Sequence, residues 1–369
     1  MQNRPVQQKF WKKKERKMKK SSRPALKRLF LCFLLLYLLI TLLPPLLYYY
    51  IPGPTASAPG QAVPEPTPGP ALSPAPSQDP GVSSALPEPA AGPGSSDSFT
   101  LYDSATEKSL TVPAREFLMA DLACEMDLHA PKEALKAQAV AAYTYYSRQR
   151  AAGGEIACDS GKWLVYVPEE VMRERWGEDY EEYRQILSGV VDEVYGQTLT
   201  YGGELILASY FAISPGGTES VQNVWAEDAD KDHPYLQAVA SPGDMFSDGY
   251  LSYAGFTLEE LEGALGVSGL DPEEPLSGAE YTPSGTVLSV DIGGESFTGQ
   301  EVRAALGLRS AAFTWEPTEG GLRFTVRGWG HGVGLSQAGA VFMAKAGAGY
   351  REILEHYYPG AELEVDKRS

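Results

Sequence analysis

Apolar and polar positions divide the chain into three stretches of different character. Residues 29–51 are almost continuously apolar, residues 52–97 contain few large apolar side chains, and residues 98–369 mix helical and strand-like patterns. The 23 residues of the apolar run, at about 1.5 Å per residue, are enough to cross a hydrocarbon core of roughly 30 Å. Residues 29–51 are therefore predicted to form a transmembrane helix, with a cleaved secretory signal as the alternative.

The long C-terminal part carries both strand and helix periodicities. Alternation of apolar and polar residues over 196–209 and 322–327 predicts half-buried strands, and the Gly202-Gly203 pair predicts a tight turn. Helical spacing predicts helices at residues 131–150, 169–193, 336–346 and 350–358. This mixture predicts an α+β fold for residues 98–369, with a small inserted lobe at about residues 250–320.

Proline dominates the stretch between the apolar run and the C-terminal part. Thirteen of the 46 residues at 52–97 are proline, and this composition favours an extended, semi-rigid polyproline II spacer. The stretch is therefore predicted to be a linker that holds one extracytoplasmic domain, residues 98–369, away from the membrane.

Charge is distributed unevenly along the chain. Residues 1–28 hold 12 of the 31 lysines and arginines and one acid, so they carry +11 and leave −28 for the remainder of a chain whose net charge is −17. Basic residues beside a transmembrane helix stay on the cytoplasmic side, so residues 1–28 are predicted to be the cytoplasmic segment of a single-pass cell-membrane protein. The acidic body argues against nucleic acid as a partner, and three cysteines are too few for a disulfide-framed scaffold.

Three stretches together carry a family resemblance. They read CEMDLHAPKEALKAQAVAAYTYY at 124–146, YGGELILASYFAISPGGTESVQNVWAEDADKDHPYLQAV at 201–239, and GWGHGVGLSQAGAVFMAKAGAGYREILEHYYPG at 328–360. The chain resembles the stage II sporulation protein D family, which also includes amidase enhancers. The resemblance covers most of residues 110–360, in the same order along the chain.

The resemblance implies an activity on peptidoglycan. It implies a lytic transglycosylase that cleaves the bond between N-acetylmuramic acid and N-acetylglucosamine, preferably in glycan strands from which the stem peptides have been removed. The implied partner is an N-acetylmuramoyl-L-alanine amidase, and the implied setting is engulfment during sporulation. The alternative is a non-catalytic peptidoglycan-binding protein that enhances the amidase.

Glycosidic cleavage needs a carboxylic acid that protonates the leaving oxygen. The resemblance places the catalytic glutamate at Glu125, with Asp127 where the family has proline. Glu133 is the second candidate, but it lies in the first turn of a predicted helix, where the helix dipole favours the ionised form. Glu125 is preferred because its apolar neighbours can keep it protonated near neutral pH.

Further candidates for substrate binding come from the same stretches. Lys136 and Gln138 either position substrate or are structural partners of Glu133, and Tyr143 stands where the family usually has arginine. His331 is either a site residue or a buried structural histidine, and Trp225 either stacks on a sugar or packs in the core. The remaining candidates belong to a loop of small residues, which either contacts the sugar or is a tight turn, and to the glycine-rich stretch before a predicted helix: Ser214, Gly216, Gly217, Thr218, Gly330, Gly332, Ser336 and Gln337.

No metal and no cofactor are predicted. Some members of the family carry a zinc site of one histidine and two cysteines after the first helix. In this chain only Cys158 stands in the corresponding stretch, at residues 154–167. Structural zinc needs four ligands and catalytic zinc three, so a single cysteine is insufficient.

Overall fold

The computed structural model describes residues 97–225 and 233–365. The predicted cytoplasmic segment, the predicted transmembrane helix and nearly all of the predicted linker lie outside these ranges. Among the described residues, none of the helices has the length and apolar character needed to cross a bilayer.

Two consecutive helices form the centre of the main core. Helix α1 spans Ala114–Glu125 and helix α2 spans Lys132–Ala151. Both are buried over most of their circumference, and every residue from 117 to 126 is buried. Strands β1 (Ser98–Asp103), β2 (Lys108–Pro113) and β3 (Ile156–Cys158) form a sheet in the order β2-β1-β3 beside them.

Two further helices pack on this pair and lead into a second small sheet. Helices α3 (Glu169–Trp176) and α4 (Tyr180–Val194) are separated by a 3-10 turn at Gly177–Asp179. The single helix predicted over residues 169–193 is therefore wrong, because Gly177 takes a left-handed φ of 54° that ends the first helix. Strands β4 (Gln197–Tyr201) and β5 (Glu204–Leu205) follow, with both glycines of the predicted turn at positive φ.

A segment of the chain between residues 251 and 327 builds a core of its own. Its buried apolar side chains run from Leu261 to Val326 and are separate from the main core. Its elements are β7 (Leu251–Thr257), α6 (Leu258–Leu265), β8 (Leu276–Tyr281), β9 (Val287–Ile292), β10 (Glu295–Phe297), α7 (Gly299–Leu306), β11 (Phe313–Thr318) and β12 (Gly321–Arg327). Strand β7 pairs with β12, so the beginning and the end of this lobe are adjacent.

The elements on either side of the lobe complete the main core. Before it come strand β6 (Tyr210–Phe211), the short helix α5 (Val221–Val224) and a 3-10 turn at Pro242–Phe246. After it come strand β13 (Leu335–Ser336), helices α8 (Gln337–Lys345) and α9 (Tyr350–Tyr357), and strand β14 (Glu362–Val365). Strand β13 pairs in parallel with β6, and β14 pairs with β4. Helices and several small sheets together give the predicted α+β content.

Candidate active site

Glu125 is the last residue of helix α1. The helix ends there because Met126 leaves the helical conformation, and Pro131 then precedes α2. Only 6% of Glu125 is exposed, so its carboxyl group lies in the main core beside α8. The sequence patterns did not predict this helix.

Gln337 holds the carboxyl group of Glu125. Its Nε2 donates to Oε2 of Glu125 at 3.0 Å. Burial raises the pKa of Glu125 to about 7, although the hydrogen bond from Gln337 acts in the opposite direction. Since the described residues supply no cation to pair with this carboxyl group, a substantial part of it is protonated at neutral pH.

A second buried acid lies one helical turn before Glu125. Asp121 is 1% exposed, and neither of its carboxyl oxygens makes a hydrogen bond of ordinary geometry. Burial, together with the nearby charge of Glu125, raises the pKa of Asp121 well above its usual value. The hydroxyl groups of Tyr146 and Tyr210 lie 3.3 Å from each other and oppose this rise. Sequence reasoning missed this group, although Asp121 is the one acid inside the apolar run FLMADLAC.

Glu133 lies in a different electrostatic environment. It pairs with Lys136 at 2.7 Å and accepts the backbone N–H of Tyr350 at 2.8 Å. Partial burial alone would raise the pKa of Glu133, but these two hydrogen bonds outweigh burial and lower it. Lys136 also pairs with Glu193 at 3.3 Å. Of the two alternatives for Lys136, these ion pairs favour a structural partner of Glu133.

Gln138 and Tyr143 lie on α2 but do not share a hydrogen bond with Glu125. Gln138 is fully buried, and its side-chain amide has no hydrogen-bond partner among the described residues. Tyr143 is 6% exposed and donates its hydroxyl hydrogen to Asp97 at 3.0 Å. Substrate contact by these two residues stays a prediction, and the structure assigns both to the interior.

The loop from Ser214 to Thr218 is packed tightly against neighbouring backbone. Ser214 is fully buried and donates its backbone N–H to Asp244 at 2.7 Å. Gly216 has a φ of +123°, and a Cβ at Gly217 would lie 3.2 Å from the carbonyl oxygen of Val239. Thr218 is 1% exposed and accepts the N–H of Val239 on its hydroxyl oxygen at 2.9 Å. These contacts fix the loop within the fold.

Asp244 connects this loop to helix α8. Its carboxylate accepts hydrogen bonds from the Ser241 and Ser336 hydroxyl groups as well as from Ser214. Ser336 is the N-cap of α8, where its hydroxyl oxygen accepts the N–H of Gly339 at 3.3 Å. Because Gln337 follows directly, Asp244 helps to set the position of the amide that holds Glu125.

His331 uses both ring nitrogens inside the protein. Its Nδ1 accepts the N–H of Val333 at 3.1 Å, so its Nε2 carries the hydrogen and donates to the Tyr210 carbonyl at 3.1 Å. The Trp225 ring packs 5.0 Å from the imidazole. These contacts hold the imidazole of His331 against the backbone of Tyr210 and Val333.

The glycines on either side of His331 bring backbone segments close together. Gly330 has a φ of +117° and donates its N–H to the carbonyl of Arg309 at 2.8 Å. Gly332 has a φ of +89°, and its carbonyl accepts the N–H of Glu219 at 2.7 Å. The glycine-rich stretch thus joins the lobe to the main domain.

No metal-binding arrangement stands out in the part of the chain that the structure describes. No group of three or more His, Cys, Asp or Glu side chains there is placed to hold an ion. Cys124 and Cys158 are both buried free thiols.

Comparisons with known proteins identify related sequences. The family model described as stage II sporulation protein matches residues 102–201, which include α1 and α2. Stage II sporulation protein D of Bacillus amyloliquefaciens is 33% identical over 273 residues, which cover 72% of this chain and 78% of that protein. Its counterpart in Bacillus subtilis strain 168 is 34% identical over 275 residues, with the same two coverages.

A more distant relative carries a different name. The amidase enhancer of Bacillus subtilis strain 168 is 26% identical over 292 residues, which cover 63% of this chain and 38% of that protein. The two closer matches each exceed 30% identity over more than two thirds of the chain. The chain therefore belongs to the stage II sporulation protein D family.

Proposed function

We propose that this protein is a membrane-anchored peptidoglycan lytic transglycosylase that acts in sporulation, with Glu125 as its acid and base. The observation that carries the proposal is the state of Glu125. Its carboxyl group is buried, bound by Gln337 and raised in pKa to about 7. A general acid works best when its pKa lies near the operating pH.

One carboxyl group is sufficient for the whole reaction. The protonated Glu125 donates its hydrogen to the oxygen that bridges N-acetylmuramic acid and N-acetylglucosamine, and the bond from that oxygen to C1 of the muramic residue breaks. The Glu125 carboxylate then accepts the hydrogen of the C6 hydroxyl group of the same residue as O6 bonds to C1. The products are a free 4-hydroxyl end and a 1,6-anhydro end, no water is consumed, and Glu125 is protonated again.

Glu133 is a poor candidate for the same role. Its ion pair with Lys136 and its hydrogen bond from Tyr350 stabilise the charged form. A carboxylate that is ionised at neutral pH has no hydrogen to donate to a leaving oxygen. Glu133 therefore stabilises the junction between α2 and α9 and serves as the matched control for Glu125.

The membrane anchor and the partner amidase are part of the same proposal. The apolar run at 29–51 and the basic residues before it support a single-pass anchor with a cytoplasmic N-terminus. The proline-rich stretch supports a spacer between that anchor and a domain acting on glycan strands outside the cell membrane. An N-acetylmuramoyl-L-alanine amidase would remove stem peptides and so supply the preferred substrate.

The second candidate is a non-catalytic enhancer of that amidase. The likeness to the amidase enhancer of Bacillus subtilis favours it, as does Tyr143, whose hydroxyl is bound to Asp97 where the family usually has an arginine. Such a protein would bind glycan and increase amidase turnover without producing anhydro ends.

Product analysis separates the two candidates. The full-length chain in detergent is incubated with denuded glycan strands, and the products are identified by mass spectrometry. We expect 1,6-anhydro-muramic ends with the wild type and with Glu133→Gln, and none with Glu125→Gln. A wild type that yields no anhydro ends but increases amidase turnover would replace the transglycosylase proposal with the enhancer.

A further inference from the structure

Four aromatic side chains form a continuous row that starts shortly after Glu125. The ring centroids of His129 and Tyr183 are 5.6 Å apart, those of Tyr183 and Trp176 are 5.1 Å apart, and those of Trp176 and Trp163 are 5.7 Å apart. His129 is exposed, and the other three rings are half-buried. This aromatic row (His129, Tyr183, Trp176 and Trp163) therefore presents ring surface to solvent while its base packs on the main core.

Arg175 stands at the far end of the aromatic row. Its guanidinium carbon lies 4.2 Å from the centroid of the Trp163 ring, and the side chain is exposed. None of the described carboxylates pairs with it. Arg173 on the same helix, in contrast, pairs with Glu169 at 2.9 Å and with Glu181 at 3.4 Å. In a chain with a net charge of −17, Arg175 is thus a cation whose hydrogen-bond donors remain available to an anion.

The backbone that carries Trp163 is strained. Trp163 and Val165 have φ values of 57° and 68°, in the left-handed region that residues other than glycine rarely adopt. Backbone hydrogen bonds between Asp159 and Leu164, at 3.0 and 3.1 Å, close the turn. Strain of this kind is concentrated at active sites and ligand-binding sites. The turn holds the Trp163 ring against Arg175.

Both ends of the row are close to the end of helix α1 that carries Glu125, one in sequence and the other in space. His129 follows Glu125 by four residues along the chain. At the other end, Arg175 is close enough to Cys124, the residue before Glu125, to act on its thiol: burial raises the pKa of Cys124, and the charge of Arg175 opposes that rise.

We infer that the aromatic row and Arg175 bind an anionic saccharide strand, with Arg175 paired to the lactyl carboxylate of an N-acetylmuramic acid residue. This inference rests on the proposed function, because it concerns the substrate of the proposed reaction. Aromatic rings offer the flat apolar faces on which sugar C–H surfaces pack, and Tyr and Trp combine such a face with a polar atom at the edge. A guanidinium group matches a carboxylate with two parallel hydrogen bonds.

The charge of the lactyl group depends on the stem peptide. While the peptide is attached, the lactyl carboxyl group is an amide and carries no charge. After an amidase has removed the peptide, each muramic residue has a free carboxylate. Arg175 therefore distinguishes denuded strands from peptide-bearing strands by charge, which couples this protein to the product of the amidase reaction.

Binding to matched strands tests the assignment. Denuded glycan strands are compared with the same strands after conversion of their lactyl carboxylates to methylamides, and binding to the full-length Glu125→Gln chain in detergent is measured so that no cleavage intervenes. We expect about tenfold tighter binding of the carboxylate strands. Arg175→Gln should remove this ratio, whereas Arg173→Gln should preserve it.

Two further outcomes separate this inference from the proposed function. An unchanged ratio in Arg175→Gln, in a protein with an unaltered melting temperature, overturns the role of Arg175 even when the wild type cleaves strands. If the wild type produces no anhydro ends but prefers carboxylate strands in a way that depends on Arg175, the transglycosylase proposal is wrong. The inferred binding surface would then still stand. If the chain that retains Arg175 binds both strands equally, the aromatic row binds sugar without regard to charge. That result also overturns the pairing of Arg175 with the lactyl carboxylate.

Discussion

Gln337 Nε2 donates to Glu125 Oε2 at 3.0 Å, although the two residues are 212 positions apart in the chain. The bond joins the last residue of α1 to the first residue of α8. It brings together two of the three stretches that carry the family resemblance, residues 124–146 and 328–360. The bond also places a neutral amide, rather than a cation, beside the proposed acid. An amide stabilises the carboxylate less than a charged partner would, which leaves burial in control of the pKa of Glu125.

The first prediction concerns stability and pH. The pKa of Glu125 rises from an ordinary value of 4.5 to about 7 in the folded protein, so the folded state holds its proton while the unfolded state has lost it. Unfolding free energy therefore falls as pH increases from about 4.5 to about 7. Glu125→Gln keeps the shape of the side chain but has no ionisable group, so its unfolding free energy does not fall in this way. The variant should therefore be more stable than the wild type by on the order of 3 kcal/mol well above pH 7.

Chemical denaturation at several pH values measures this effect. The gain in Glu125→Gln should vanish at pH values below about 4.5, where both states are protonated. Glu133→Gln is the control, and its effect on the unfolding free energy should have the opposite sign. Because the pKa of Glu133 is lowered in the folded state, removal of this carboxylate should destabilise the protein at neutral pH. A Glu125→Gln variant that is less stable than the wild type at pH 8 would contradict the assignment of a largely protonated carboxyl group.

The second prediction concerns the upper pH limit of activity. Cleavage requires protonated Glu125, so kcat should fall as pH rises through about 7. The hydrogen bond from Gln337 lowers the pKa of Glu125, and Gln337→Ala should therefore move this limit to higher pH. Gln185→Ala, at an exposed position, should leave the limit unchanged. A limit that moves to lower pH in Gln337→Ala would show that Gln337 acts in another way.

The third prediction concerns the support of helix α8. Asp244 is fully buried and accepts hydrogen bonds from Ser214, Ser241 and Ser336. Asp244→Ala removes the acceptor of all three hydrogen bonds and should cost about 2–4 kcal/mol of unfolding free energy. The exposed Asp248→Ala variant should stay within about 0.5 kcal/mol of the wild type in the same denaturation experiment. Equal stabilities of the two variants would rule out a structural role for the Asp244 network.

The fourth prediction compares two helical glycines. A Cβ at Gly339 in α8 would overlap the hydroxyl groups of Tyr357 and Ser241, whereas a Cβ at Gly263 in α6 meets nothing within 4 Å. Gly339→Ala should destabilise the protein by about 1–3 kcal/mol through overpacking. Gly263→Ala should stabilise it by roughly 0.5–1 kcal/mol, because alanine is the better helix former. Thermal unfolding of both variants measures the difference, and a stabilising Gly339→Ala would contradict the close packing of α8.

Local sequence patterns predicted three helices that proline or glycine bounds in the sequence. The helices at α2, α8 and α9 begin and end within two residues of their predicted bounds. Helix α1 was not predicted, because residues 117–125 are buried on all sides and leave no amphipathic stripe. The break between α3 and α4 was missed since the same acidic, amphipathic pattern continues on both sides of Gly177.

The candidate site was only partly predictable for a different reason. Glu125 and Gln337 were both predicted as site residues from the family resemblance, and the structure brings them into contact. The proximity of Asp121 to Tyr146 and Tyr210 depends on how α1, α2 and β6 pack, which no local pattern contains. The interior positions of Gln138, Ser214 and Ser336 likewise arise from tertiary packing.

Infrared titration of the Glu125 carboxyl group tests the central claim most directly. Difference spectra between the full-length wild type and Glu125→Gln, recorded from about pH 4 to about pH 9, isolate the C=O band of that protonated acid. We predict that the band persists at pH 6, loses half of its intensity at a pH of about 7, and is retained in Glu133→Gln. Complete loss of the band below pH 5 would mean that Glu125 is an ordinary ionised carboxylate, and the account of it as a general acid would be wrong.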